Sequence, residues 1–143
     1  MTVAAVVERD GRFLFVEERI EAQLLLNQPA GHLEPGESLL EAVKRETREE
    51  TAWDFEPQAL LGVYRWRTPD RATTYLRFAF SGAVRNHHSD QPLDDTIQRV
   101  IWIRPEALRN HRLRSPLVMR CVDDYQRGCG YPLSLLVELN DEN

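Results

Sequence analysis

Three glutamates, Glu46, Glu49 and Glu50, stand at positions i, i+3 and i+4 of a segment with helical apolar spacing, so one helix face would carry all three carboxylates. Like charges at that spacing repel and weaken an isolated helix. Lys44, Arg45 and Arg48 offset part of the repulsion but project from other parts of the helix surface. Acidic residues on helices are commonly just a solvated face. The functional alternative is a hard divalent cation, Mg2+ or Mn2+, because oxygen-only ligands on a rigid element suit such an ion. It keeps several waters and usually binds a substrate phosphate as well.

The elements that must position this face are legible around it. Ser38 is a good N-cap and Glu41, three residues on, completes a capping box. Leu39, Leu40 and Val43 give the helix one apolar face, and Thr51-Ala52-Trp53 ends it. Upstream, the strand-like runs Val3 to Glu8 and Arg12 to Val16 are joined by Asp10-Gly11, a strong hairpin signal. A third apolar run, Leu24-Leu25-Leu26, ends at Pro29-Ala30-Gly31, and His32 to Glu37 reads as a loop containing Pro35-Gly36. Downstream, strands are expected at Leu60–Trp66, Thr73–Ala83 and Arg99–Ile103, then a short helix opening at Pro105. Ser115-Pro116 opens a second long helix through about Gln126. This order points to an α/β fold, a mixed sheet covered by helices.

Composition bounds the function. The chain has 143 residues, 42% hydrophobic and 29% charged, the profile of a single globular domain spanning 1–143. The net charge of −5 argues against nucleic acid or an anionic membrane as partner. No stretch approaches the roughly 20 apolar residues of a spanning helix. The apolar start Met1 to Val7 lacks a basic region and is cut short by Glu8-Arg9-Asp10, so it reads as a buried first strand and not as a signal peptide. Cys121 and Cys129 are too few for a disulfide scaffold, and the four histidines do not stand at zinc-ligand spacing. Reduced thiols in a cytoplasmic protein are the expectation.

Gly31, Glu37, Arg45, Glu46, Glu49 and Glu50 match the pattern G-x5-E-x7-R-E-x2-E-E, and on these residues the chain resembles a Nudix hydrolase. Six fixed positions at ~6% frequency each match by chance about once in 10^7 windows, against the ~10^2 windows available. Two positions depart from the full box: Thr47 stands where an aliphatic residue is usual, and Ala52 where a glycine is. Neither removes a ligand. An alanine at a helix end that turns left-handed costs about 1 kcal/mol. The likeness continues through Asn27 to Glu34, Thr68-Pro69-Asp70, Tyr75 to Phe78, Leu113 to Val118 and Tyr131-Pro132-Leu133, which together look like the bacterial NudJ-type phosphatases within that family.

The resemblance implies an α/β/α sandwich and Mg2+-dependent hydrolysis of phosphoanhydrides in small phosphorylated substrates. Those substrates would be nucleoside tri- and diphosphates or the pyrophosphate of hydroxymethylpyrimidine, with orthophosphate released. Another substrate class of the same family, such as ADP-ribose, a dinucleotide or a mutagenic nucleotide, is the alternative. A non-catalytic binding module would be expected to lack some of the three glutamates.

Glu46 and Glu50 form the expected metal pair, with Glu49 as third ligand or as the base that aligns water. A backbone carbonyl near Ala30-Gly31 completes the shell by resemblance. Arg45 is expected to pair with a box glutamate and orient it, and Glu37 to brace the loop. His32 is either a substrate-facing donor or a loop residue. Arg114, ahead of the capped helix at Ser115, is an anion candidate. Arg65, Arg67, Arg71 and Arg77 could hold phosphates but read more readily as a solvated face. Asp94-Asp95 could supply a further ligand or base but reads more readily as a solvated turn. Trp53, Trp66, Trp102 and Tyr64 read as mostly core, though one could stack on a base.

Overall fold

The computed structural model describes residues 1–139. A seven-stranded mixed sheet runs in the order β3-β2-β1-β6-β5, with β4 paired to β1 and β7 to β2. The strands are β1 (Thr2–Arg9), β2 (Arg12–Ile20), β3 (Gln23–Asn27), β4 (Ala30–His32), β5 (Asp54–Arg67), β6 (Thr74–Arg85) and β7 (Ile97–Ile103). Helices α1 (Leu39–Thr51) and α2 (Pro116–Gln126) complete the fold. β1 runs parallel to β6, whereas its pairings with β2 and β4 are antiparallel.

The continuous apolar run at the N-terminus has a simple cause: β1 is central and buried on both faces. Val3, Ala5 and Val7 pack with Leu39, Ala42 and Val43 of α1. Ala4 and Val6 pack with Val118, Cys121 and Val122 of α2. One helix therefore covers each side, which is the α/β/α sandwich the resemblance implied.

Local signals were read correctly where chemistry dictates geometry. Asp10 and Gly11 both take positive φ in the two-residue turn between β1 and β2, as a type I′ hairpin requires. The Ser38–Glu41 capping box is complete. Ala52, where a glycine was expected, sits at φ 62° as the left-handed cap of α1, its N–H donating to the Arg48 carbonyl.

Several boundaries differ from expectation, among them the end of β2, which runs on past Val16 to Ile20. β4 begins at Ala30, inside what reads as the end of a run, because Thr2, Val3 and Ala4 offer it an edge to pair with. β5 starts at Asp54, six residues early, since Pro57 stands at a register shift that needs no ladder donor. The turn after Pro105 is a 3-10 helix over Pro105–Asn110. Cys121 is buried and Cys129 half-buried, and both are unpaired thiols. Among the described residues no helix is long and apolar enough to cross a membrane.

Candidate active site

The carboxylates come from α1, but Arg45 sets their arrangement. Its Nε and Nη2 grip both oxygens of Glu37 at 2.6 and 2.9 Å. Nη1 donates to Glu46 at 2.8 Å and to Glu49 at 3.1 Å, and Nη2 also donates to the His32 carbonyl at 2.9 Å. One guanidinium thus ties the helix to the loop before it, using the planar fork that only arginine offers. These bonds, led by that to Glu37, raise the affinity of Arg45 for its proton. The Arg45 hydrogen bond, followed by the Glu34 N–H, holds the Glu37 carboxyl below the usual range. Arg45 thus bonds two glutamates of the motif face, and Glu37 links the loop to the helix through it.

Glu50 sits deeper than the other two, against β4. It is 8% exposed and accepts the Ala30 N–H at 3.0 Å. Burial pushes its carboxyl up to about 9; the Ala30 bond opposes this, and the nearby charges of Glu18, Glu46 and Asp94 add to it. Burial also raises Glu46, against the Arg45 hydrogen bond. Gly31 lies directly against the Glu46 carboxylate, so a Cβ at that position would occupy the space the carboxylate fills. The glycine of the motif is therefore explained by close approach, with no call on positive φ.

Asp94 departs from the favoured reading of a solvated turn and matches the geometry of the other, a further ligand. It places a carboxylate oxygen within 4.8 Å of those of Glu46 and Glu49. The loop after β6 carries it there: the Asp94 N–H donates to the Glu49 carbonyl at 3.1 Å, and Gln91 exchanges bonds with Arg48 at 2.7 and 3.0 Å. Arg45 offsets part of the charge on Glu46 and Glu49, and three carboxylates gathered this closely still suit a hard cation such as Mg2+ or Mn2+.

A cavity of about 180 Å3 opens beside Glu50, lined also by Gly31, His32, Glu18, Arg77 and Arg114. His32, expected to be either a substrate-facing donor or a loop residue, and Arg114, the anion candidate, both line this cavity. Arg114 is fixed by its N–H on the Leu26 carbonyl at 2.8 Å, and Ser115 caps α2 beside it. Arg65, Arg67 and Arg71 are exposed as expected. Arg77 is not: it is 4% exposed and bonded to Gln28 and Asn27.

Glu18 was missed altogether. Burial raises its carboxyl, opposed by the Asn27 hydrogen bond and by Arg114 and Arg77. Glu18 lies beyond Val16, where the second strand was expected to end, and nothing in the sequence sets it apart from a solvent-facing acid. Of the aromatics, Trp53 and Trp102 pack edge to face with Arg9 over both rings, and Tyr64 donates to Asp124 at 2.8 Å. Trp66 instead lines the cavity.

A mixed sheet between two helices, with a carboxylate face on the first helix and a loop glycine against it, defines a recognisable class. The NUDIX domain family matches residues 1–121, and the chain belongs to that family. Curated relatives named Phosphatase NudJ, from Shigella boydii serotype 4 (strain Sb227) and Escherichia coli (strain K12), are each 43% identical over 141 residues. That span covers 98% of this chain and 92% of theirs. A solved structure described as a NUDIX hydrolase from Nitrosomonas europaea is 46% identical with a TM-score of 0.95, covering 99% of this chain and 97% of that one. The protein is a Nudix hydrolase, an enzyme of phosphoanhydride chemistry.

Proposed function

We propose that this chain, acting as one Nudix domain in the cytoplasm, is a Mg2+-dependent phosphatase of small pyrophosphorylated substrates. Nucleoside di- and triphosphates and pyrimidine pyrophosphates are the class, and orthophosphate is the product. The observation that carries this reading is the convergence of Glu46, Glu49 and Asp94 within 4.8 Å, next to the cavity that Glu50, His32 and Arg114 line. Near-full-length likeness to proteins named Phosphatase NudJ supports the choice of product.

The donor set fits the metal: three carboxylates close together, a fourth buried nearby, and a glycine leaving room for Glu46. Glu46, Glu49 and Asp94 would hold the ion, and Glu50 would add a further carboxylate nearby. When bound, Mg2+ screens the polyanionic substrate, lowers the pKa of water and stabilises the leaving phosphate.

The chain's own residues supply the rest. Arg45 keeps Glu46 and Glu49 pointed at one spot without competing for the substrate, since its hydrogen bonds go to protein oxygens. Glu49 is the more exposed of the two carboxylates that Arg45 bonds on α1. That exposure suits it to accept a proton from the attacking water. Arg114 and the Ser115 start of α2 offer positive charge to the phosphate end of the substrate. Phosphate release should be measured over nucleotides, ADP-ribose, a dinucleotide and pyrimidine pyrophosphates, with and without Mg2+. Mg2+-dependent orthophosphate release supports the reading; pyrophosphate as the main product from triphosphates, or preference for ADP-ribose, overturns it.

A further inference from the structure

The cavity has a polar floor that metal and phosphate chemistry leaves unused. Arg77, buried on β6, donates from Nη1 to Gln28 Oε1 at 2.9 Å and from Nη2 to Asn27 Oδ1 at 3.1 Å. Gln28 is fixed at its other end, where Nε2 donates to the Val118 carbonyl at 2.9 Å. Among the described residues, Arg77 Nε has no hydrogen-bond partner. Because Arg77 occupies the oxygen of Asn27, the amide nitrogen faces Glu18, whose Oε1 lies 3.5 Å away. That separation is at the limit of a hydrogen bond, so neither group is saturated by the other. The register of β2 against β7 shifts between Glu17 and Glu18, the kind of irregularity that re-aims a side chain. An acceptor, Glu18, and a donor, Asn27 Nδ2, consequently stand side by side on the cavity wall.

Resting on the function proposed above, we infer that Glu18 and Asn27 read the ring edge of the substrate and select a heterocycle with an exocyclic amino group beside an unprotonated ring nitrogen. Arg77 is the positioning residue. The amino group donates to Glu18 and the ring nitrogen accepts from Asn27. The inverted edge, a carbonyl oxygen beside a ring N–H, sets oxygen against carboxylate and N–H against N–H. Size agrees: a cavity of about 150 Å3 holds benzene, so the roughly 180 Å3 here takes one six-membered ring. Trp66 and Tyr75, stacked with centroids 5.6 Å apart, line the same space and offer it an aromatic wall.

Cytidine and uridine phosphates differ at this edge and test it directly. Wild-type protein should show kcat/KM for CDP about 10- to 100-fold above that for UDP, the range expected of a paired hydrogen-bond readout. In metal-free protein, CMP should bind more tightly than UMP by calorimetry. Glu18→Gln presents an amide that can turn either way, so the CDP:UDP ratio should collapse toward one, whereas a general loosening lowers both substrates together. Should that variant not fold, the wild-type comparison of CMP with UMP decides. Equal binding and equal kcat/KM for the two bases in wild type overturn the inference. Base-selective binding without phosphate release from any substrate would sink the proposed function and leave the readout standing.

Discussion

Glu50→Gln isolates what the carboxylate face costs the fold and what it contributes to catalysis. In metal-free protein the Glu50 carboxyl is raised from 4.5 to about 9, chiefly by burial. A carboxyl raised in the folded state binds its proton more tightly there than in the unfolded chain. Its stabilising contribution is therefore complete below pH 4.5, declines from there to about pH 9, and is gone above. At pH 7 the unfolded chain has released this proton and the native state still holds it. Two and a half pH units at about 1.4 kcal/mol each make that burden about 3.5 kcal/mol. Glutamine mimics the protonated acid and can still accept the Ala30 N–H, so the variant escapes the burden. About 3.5 kcal/mol is an upper bound, because the new amide N–H also needs a partner.

Urea denaturation in chelator at pH 4.5, 7 and 8.5 reads this out. The variant should match wild type at the lowest pH and exceed it increasingly above. With saturating Mg2+ the order should reverse or close, as the cation favours the ionised wild-type face. Metal-dependent turnover should fall by two to three orders of magnitude, since several kcal/mol of charge stabilisation are lost. A stability difference that does not vary with pH, or full turnover in the variant, refutes the reasoning.

Other perturbations follow from the same geometry. Mg2+ at 100 times its dissociation constant should stabilise the wild-type protein by about 2.7 kcal/mol, read as a thermal shift that chelator reverses; no shift at saturation denies a preformed site. Gly31→Ala should force the Glu46 carboxylate aside and weaken Mg2+ binding at least tenfold by titration calorimetry while the fold persists. Arg45→Lys loses the planar fork that spans Glu37, Glu46 and Glu49, and kcat should fall about 10- to 100-fold with little change in melting temperature. Hydrolysis of a nucleoside triphosphate in heavy-oxygen water should label the released orthophosphate; label in the monophosphate would place the attack at the inner phosphorus.

What was legible in the sequence is what short-range chemistry dictates. The capping box, the Asp-Gly turn and the i, i+3, i+4 spacing of the carboxylates depend on residues within one turn or one hairpin of each other, so no tertiary information is needed to read them. Arg45 and Glu37 belong to the same group because eight residues of loop and helix separate them. Asp94, Glu18 and Arg77 lie outside it. Asp94 reaches the carboxylates through Gln91 and its own N–H, both bonded to α1 backbone more than forty residues upstream. Nothing local to Asp94 distinguishes it from a solvated turn.

Arg77 shows why alternation along a strand misleads at the centre of a sheet. Counted along β6, it alternates with apolar residues as a solvent-facing arginine would. But β6 lies between β1 and β5 and is covered by α2, so the face that alternation assigns to water is filled by Asn27, Gln28 and Cys121. A buried guanidinium persists only where acceptors surround it, and here two amide oxygens and a thiol provide them. Those acceptors are not passive. Engaging the oxygen of Asn27 decides which way that amide points, and hence whether the cavity meets a donor or an acceptor next to Glu18. A residue that touches neither metal nor phosphate thereby sets the hydrogen-bonding polarity of the wall a substrate ring would face. Selectivity and catalysis in this chain accordingly rest on different arginines: Arg45 orients the carboxylates, and Arg77 orients the edge that would choose what is brought to them.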